Sequence, residues 1–326
     1  MNLRQIGITV AALLFSLVAL DEPAQAGEPN WPEVITVATG SAGGTYHAYG
    51  TELTRLLAQA LGIAAVEQMT EGPSKNIQLI ESGTAQIAFV TMGEALAGWN
   101  GTGAWTNGRQ FRSMRALFPM YDTPFAFAVL DRSPVRTLTD LTGKRIGVGP
   151  AGGTAGSYIP KFLAALNLQA TLVTGTWDEL AAQLQSGKVD VLAAAAGAPF
   201  PALRGLGAKE KIRFIPLAKG EITSLRLAMP ELVVSTIAAG SYPALARNYQ
   251  TVGLFNFAVV RADLPDDLAY AIVDAVFKNR EQLEMAHSAA VETKPGNFTR
   301  NAFLPFHRGA MRYFGSSLTP GIVSSD

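Results

Sequence analysis

Apolar residues recur every three or four positions in two stretches of the chain, and each stretch follows a glycine-rich loop. The first loop, TGSAGGTYHAYG at residues 39–50, stands between the apolar run VITVA and the segment ELTRLLAQAL. The second loop, GPAGGTAGSY at residues 149–158, stands between RIGV and IPKFLAAL. Because this spacing places apolar side chains on one face of a helix, each loop is predicted to join a strand to an amphipathic helix.

Each of these helices is followed by a strand, a shorter helix and another strand. The strands are predicted at AAVEQM and AQIAFV after the first loop, and at ATLVTG and VDVLAAA after the second. Ser74 is the predicted N-cap of the first short helix, and Thr176 with Glu179 predicts a capping box for the second. Each short helix ends in Ser-Gly, so Gly83 and Gly187 are the predicted left-handed stops. Ser157 is the predicted cap that would leave Pro160 in a first helical turn. Strands joined through helices are parallel, so the pattern predicts two α/β units of similar plan.

Two long apolar runs, residues 114–130 and 249–260, have the composition of extended segments. They are predicted to carry the chain from one α/β unit to the other and back, as a hinge with a cleft between the units. The expected fold is therefore a two-lobed α/β fold with mainly parallel sheets flanked by helices and two extended hinge crossings. The predicted division is a leader at 1–26, lobe I at 27–122 and 252–326, and lobe II at 123–251.

The N-terminus has the three parts of a secretory signal peptide. Arg4 provides positive charge, residues 6–20 are apolar, and Ala24 and Ala26 offer small side chains at the cleavage site. We therefore expect cleavage after Ala26 and a periplasmic location. An uncleaved membrane anchor is the alternative, although the apolar stretch is short for a membrane span.

Composition excludes several classes of function. Hydrophobic residues make up 48% of the 326 residues and charged residues 16%, with a formal net charge of zero. The balance of charge gives no support for nucleic-acid binding. The absence of cysteine excludes disulfides, thiolate metal sites and a cysteine nucleophile. The three histidines do not have metal-ligand spacing, so neither a metal nor a cofactor is expected.

The chemistry of the glycine loops favours binding over catalysis. Both loops would lie beyond the carboxyl ends of parallel strands, where ligands bind in such sheets. Each would open a helix, and free N–H groups with the helix dipole attract anions. An enzyme would need a base, a nucleophile or a metal in the cleft. The chain has no Gly-x-Ser-x-Gly elbow, no lysine-ending phosphate loop and no His–Asp pair near the loops.

Four segments carry a resemblance to a known family: VATGSAGGTYHAYGTELTRLL, LTDLTGKRIGVGPAGGT, DELAAQLQSGKVDVLAAAAGAPFPAL and VVRADLPDDLAYAIVDAVF. In this order they resemble the TAXI-type solute-binding proteins of tripartite ATP-independent periplasmic (TRAP) transporters. The resemblance implies a class II periplasmic-binding fold that captures a small carboxylate, such as a dicarboxylate or an acidic amino acid, for a TRAP membrane permease. Hinge closure around the ligand would present it to that partner. A sensor subunit docking on a membrane kinase, or an exported two-domain α/β enzyme, are the alternatives.

The predicted ligand-binding residues come from both walls of the cleft. Lobe I is expected to contribute Ser41, Gly43, Gly44, Thr45, Tyr46, Ser74, Asn76 and Thr91, and lobe II Gly152, Gly153, Thr154, Ala198 and Pro199. This chain departs from the family pattern at Tyr46–His47–Ala48, at Gly153 and at Thr91–Met92–Gly93, all near the predicted site. Beside Tyr46, His47 is expected either to contact the ligand or to lie on an exposed helix face.

Overall fold

The structure is a computed structural model, and it describes residues 30–317. The predicted signal peptide at 1–26 lies outside the described residues. Among residues 30–317, no helix has both the length and the apolar character that a membrane crossing requires.

The first α/β unit has the predicted order of elements. It contains β1 (Val34–Ala38), α1 (Thr45–Leu61), β2 (Ala64–Gln68), α2 (Pro73–Ser82), β3 (Ile87–Thr91) and α3 (Met92–Asn100), and leads into the long strand β4 (Met114–Leu130). Strand β1 pairs in parallel with both β2 and β3, as expected for strands joined by helices. The predicted glycine stop of α2 is confirmed, because Gly83 caps the helix with φ of 75°, a conformation that glycine adopts without strain.

The second unit repeats this plan and then extends it. It contains β5 (Arg145–Gly147), α4 (Thr154–Ala165), β6 (Thr171–Val173), α5 (Trp177–Gln185), β7 (Val191–Ala195), α6 (Pro201–Lys209), β8 (Ile212–Phe214), α7 (Lys219–Ala228) and β9 (Val233–Ile237). Strand β5 pairs in parallel with β6 and β7. The capping box of α5 is confirmed: Thr176 Oγ1 accepts from the Glu179 N–H, and the Glu179 carboxylate accepts from the Thr176 N–H.

The chain returns through β10 (Tyr249–Arg261) and ends with α8 (Asp266–Lys278), α9 (Arg280–Ala286) and α10 (Arg308–Ser317). Strands β4 and β10 are the two extended crossings, and they pair antiparallel with each other. The strand order is β2-β1-β3-β10-β4-β7-β5-β6, with β8 beside β4 and β9 beside β10. The register shifts where Phe255 faces Asp122 and Phe257 faces Pro119, so β4 carries one extra residue and bulges at this point.

Buried apolar side chains form three clusters that separate along the chain. One cluster draws on residues from Phe125 to Leu254, and the other two on residues up to Tyr121 and from Phe255 onward. We call residues 30–122 and 252–317 lobe I and residues 123–251 lobe II. This division is a proposal, and its boundaries lie within about three residues of the places where the crossing strands pass from one cluster to another.

Two predictions about helix starts are wrong. Ser74 is not the N-cap of α2, because Gly72 holds that position and Pro73 begins the helix. Ser157 is not the cap of α4, because the helix begins at Thr154 and leaves Pro160 in its interior. In both cases a glycine at the end of a tight turn sets the first residue of the helix, and a glycine N-cap leaves no side-chain signal in the sequence.

Candidate functional site

The two glycine loops form matching turns. The Gly44 N–H donates to Ser41 O at 3.0 Å, and the Gly153 N–H donates to Pro150 O at 3.0 Å. The two glycines have nearly the same conformation, with φ and ψ of −92° and 155° at Gly44 and −83° and 156° at Gly153. In each case a threonine follows and begins a helix. The repeated Ala-Gly-Gly-Thr motif therefore produces a similar helix start in both lobes, although the turns differ one residue earlier, where Gly43 has φ of 74° and Gly152 does not have a positive φ.

Both helices that follow these turns begin without a capping side chain. Gly44 and Gly153 are the N-cap residues of α1 and α4, and neither helix start receives a side-chain cap hydrogen bond. The N–H groups of a first helical turn have no intrahelical acceptor, so they stay available to an external one. The positive end of each helix dipole adds to this attraction for an anion.

The two lobes contact each other at these loops. Ser74 Oγ in lobe I donates to Gly152 O in lobe II at 3.1 Å. The Thr45 hydroxyl donates to Gly197 O at 2.9 Å. A Cβ atom at Gly72 would lie 2.6 Å from Gly152 O, so the two backbones approach more closely than side chains would permit. The structure therefore shows the cleft with its walls in contact.

A cavity of about 70 Å³ remains between the walls. Its lining consists of Gly40, Ser41, Gly44, Thr45, Tyr46, Glu71, Gly72, Pro73, Thr91, Tyr121, Thr123, Val148, Pro150, Gly153, Thr154, Ala155, Trp177, Ala195, Ala196, Gly197 and Phe200. Both uncapped helix starts reach this lining. So do the predicted residues Ser41, Gly44, Thr45, Tyr46, Thr91, Gly153 and Thr154.

Three other predicted residues hold the walls instead of lining the cavity. Ser74 and Gly152 make the hydrogen bond between the lobes. Asn76 is fully buried, and its amide donates to Thr39 O and Phe89 O at 2.7 Å each. These bonds fix the loop after β1 to the end of β3, so Asn76 supports the wall from behind.

The remaining three predicted residues lie beside the cavity. Gly43 has φ of 74° and provides the left-handed step in the first turn. Ala198 and Pro199 follow the lining residue Gly197 and are joined by a cis peptide bond. His287 Nε2 lies 3.2 Å from Pro199 O, on the side of lobe I. The lining of lobe II at this segment is thus Ala195, Ala196, Gly197 and Phe200, slightly displaced from the expected pair.

The prediction omitted several lining residues, among them Tyr121, Thr123 and Trp177. Tyr121 lies in the bulge of β4, and bulges often redirect side chains next to sites. Asn256 lies behind Tyr46 and is fully buried. Its side-chain oxygen accepts from the Tyr46 hydroxyl, and its amide nitrogen donates to Tyr121 O and Thr123 Oγ1, each at 2.6 Å. Asn256, itself in β10, therefore connects Tyr46 to both crossing strands. No local sequence pattern predicts this contact.

Two buried hydroxyl groups of the lining have no hydrogen-bond partner in the part of the chain that the structure describes. They belong to Thr91 and Tyr121, each 1% exposed. Thr91 is the N-cap residue of α3, yet its side chain makes no cap hydrogen bond. Buried hydroxyls without a partner are rare, since each one costs about 1–3 kcal/mol.

The described lining contains no lysine, arginine or histidine, and its one carboxylate is Glu71. Burial, with a smaller contribution from the charge of Glu94, raises the pKa of Tyr46 well above its ordinary value, so this hydroxyl stays neutral. Glu94 is 1% exposed and accepts from Trp105 Nε1 at 2.9 Å. Burial raises the pKa of Glu94, while hydrogen bonds from Ser157 and Trp105 lower it.

His47, which was expected either to contact the ligand or to lie on an exposed helix face, is not part of the lining. Its Nδ1 lies 2.9 Å from Glu67 Oε1 on a half-exposed face of α1. Two tryptophans of lobe I also lie outside the lining, because Trp99 packs on Phe303 and Trp105 on Phe111. Among residues 30–317, no group of three or more His, Asp or Glu side chains could hold a metal ion.

The fold is similar to that of several solved structures. Similar structures include MatC from Rhodopseudomonas palustris with bound malate, 11% identical with a TM-score of 0.57, covering 88% of this chain and 98% of that one. A periplasmic transporter is 14% identical with a TM-score of 0.53 over 82% and 95%. The periplasmic binding protein BugD is 13% identical with a TM-score of 0.52 over 87% and 88%. The chain itself belongs to the NMT1-like family, whose model matches residues 37–315.

The family match and these similar structures confirm the predicted α/β fold class.

Proposed function

We propose that this protein is a TAXI-type solute-binding protein that captures a small organic carboxylate and delivers it to a TRAP permease. The observation that carries this proposal is the pair of uncapped helix starts, Gly44–Thr45 and Gly153–Thr154, on opposite sides of one cavity. A carboxylate between them would accept N–H groups from both lobes. The thirteen residues predicted from sequence, as lining or as support, are the proposed site.

Helix dipoles alone would not account for useful affinity. One helix end stabilises an anion by about 0.3–1 kcal/mol when exposed and up to about 2 kcal/mol when partly buried. Micromolar binding requires about 8 kcal/mol. Charge-assisted hydrogen bonds from the first-turn N–H groups, in a cavity shielded from water, would have to provide the remainder. Tyr46, whose hydroxyl is held by Asn256, would cover the ligand from lobe I.

These contacts come from both lobes, so they are complete only when the lobes touch. A ligand that gains its contacts in one conformation shifts the population toward that conformation. We therefore infer that the ligand favours the closed state and that the permease recognises this state.

A thermal-shift screen of carboxylates, amino acids, sugars and cations tests the ligand class. Stabilisation by one or more carboxylates supports the proposal, and small-angle scattering should then show compaction on binding. Stabilisation by a neutral sugar or a cation, without response to any carboxylate, would contradict it. The partner is tested by uptake of the labelled ligand into vesicles that contain a TRAP permease: uptake should require this protein.

A further inference from the structure

We propose that Thr91 and Tyr121 recognise a neutral oxygen group of the ligand, which makes the ligand a short monocarboxylate that carries a hydroxyl or keto oxygen. This inference rests on the proposed carboxylate function and narrows it. It favours a 2-hydroxy or 2-oxo acid over a dicarboxylate or an acidic amino acid.

The first support comes from the way the lining hydroxyls are used. Tyr46 donates to Asn256, Thr45 donates to Gly197 O, and Thr123 accepts from Asn256. Thr91 and Tyr121 line the same cavity, are each 1% exposed, and have hydroxyls without a partner among residues 30–317. A ligand oxygen that bonded them would satisfy two buried groups at once, and buried polar groups are nearly always satisfied.

The second support comes from the positions of these residues on the backbone. Threonine is a favoured N-cap residue, yet the Thr91 side chain does not cap α3. Tyr121 lies where β4 bulges opposite Phe255 and Phe257. The Thr91 hydroxyl thus does not cap its helix, and Tyr121 lies outside the regular register of its strand.

The third support is the charge of the lining. The described residues around the cavity provide no cationic side chain. A second carboxylate at the wall of Thr91 and Tyr121 would be a buried charge without a counter-ion, which proteins avoid. Burial also raises the pKa of Tyr121 well above its ordinary value, so its hydroxyl is neutral and can donate to a keto oxygen or bond a hydroxyl.

The size of the cavity points in the same direction. At about 70 Å³ it has roughly half the volume of a ~150 Å³ protein cavity that takes up benzene. With the walls in contact, so small a space favours a ligand of few atoms, such as glycolate, over the longer glutamate.

Calorimetric titration with matched ligand pairs tests the proposal on the purified protein, refolded from denaturant to remove retained ligand. Lactate is compared with propionate, and serine with alanine, since each pair differs by one hydroxyl. We expect the hydroxyl to strengthen binding by about tenfold, which corresponds to 1.4 kcal/mol, in at least one pair. Succinate and glutamate should bind more weakly than the best hydroxy or oxo monocarboxylate.

Two variants test the residues themselves. Tyr121→Phe and Thr91→Val each remove one hydroxyl, and each should reduce the roughly tenfold preference for the hydroxyl-bearing ligand, at most to equal affinities. Tyr49→Phe is the matched control, because the Tyr49 hydroxyl bonds Thr293 at 3.1 Å, next to the same aromatic cluster but outside the cavity lining. It should leave the preference unchanged. Because Tyr121→Phe and Thr91→Val are separate variants, the test can still be decided if one of them does not fold.

Equal affinities within both pairs, tightest binding by a dicarboxylate, or an unchanged preference in Tyr121→Phe and Thr91→Val would overturn this inference while leaving the carboxylate function intact. A protein that binds no carboxylate of any kind would instead contradict the proposed function.

Discussion

Gly93 offers a direct test of whether the contact between the lobes is needed for binding. It lies in the first turn of α3 in lobe I, and a Cβ atom there would stand 1.9 Å from Tyr158 Oη of lobe II. Gly93→Ala should therefore prevent the lobes from touching as they do here. With the lobes apart, the backbone accepts the change because the glycine does not have a positive φ, and the Cβ would still meet Leu254 Cδ2 at 3.0 Å, at the end of a flexible side chain.

The size of the effect follows from how firmly Tyr158 is held. Its side chain is 1% exposed, its hydroxyl donates to Glu231 at 2.8 Å, and its ring packs against Phe125 and Phe162. An added methyl group in such a place costs about 1–3 kcal/mol. If this cost falls on the closed state alone, Kd rises about fivefold to 150-fold.

The assay is calorimetric titration with the ligand that the screen identifies, together with scattering of the liganded protein. Gly98→Ala is the matched control, because it is the same change in the same helix. Its Cβ would meet Trp105 at 2.9 Å, within lobe I. It should lower stability while Kd changes by less than about twofold. If Gly93→Ala binds as tightly as the wild type, or no worse than Gly98→Ala, closure through this contact is not required.

Three further predictions follow. Gly153→Val should abolish binding, because the valine side chain would fill the cavity. Circular dichroism should stay native, because a residue with φ of −83° accepts a side chain. An unchanged affinity would show that the second loop is not part of the site. Burial raises the pKa of Asp122 from 3.8 to about 6, so its contribution to stability is full below pH 4 and is lost as pH rises through 6. Urea unfolding should accordingly show Asp122→Asn gaining up to about 3 kcal/mol relative to the wild type between pH 4 and pH 7, and a constant difference would refute this. Mass spectrometry of the exported protein should find Gly27 as its first residue, and a periplasmic form that begins at Met1 would contradict cleavage after Ala26.

Local signals in the sequence predicted local structure well. The capping box at Thr176 and Glu179 and the glycine stop at Gly83 each depend on contacts within a few residues, so the sequence carries them in full. The two glycine loops were also recognisable, because a strand, a glycine run and an amphipathic helix follow each other directly. Their uncapped helix starts were harder to locate, since a glycine N-cap has no side chain to mark it.

The parts of the site that depend on pairing between distant strands were not predictable. Tyr121 reaches the cavity from a bulge that exists because β4 and β10 pair with a shifted register, and these strands are far apart in the chain. Asn256 bonds Tyr46 across 210 positions. Ala198 and Pro199 were predicted to line the cavity but lie beside it, because the turn after β7 places Gly197 and Phe200 in the lining instead.

The contacts between the lobes at Gly72, Gly152 and Gly197 are made by backbone and hydroxyl groups that carry no net charge. Dissolved salt screens interactions between charges, so it has little effect on these uncharged contacts between the lobes. The dependence of binding on ionic strength would then report on the charge of the ligand and on Glu71, the one charged side chain in the described lining. For an anionic ligand, added salt would weaken the repulsion from Glu71 while the ligand approaches the cavity. It would also weaken the attraction between the bound ligand and the helix N-termini. Association and dissociation rates measured over a range of salt concentrations would separate these two effects.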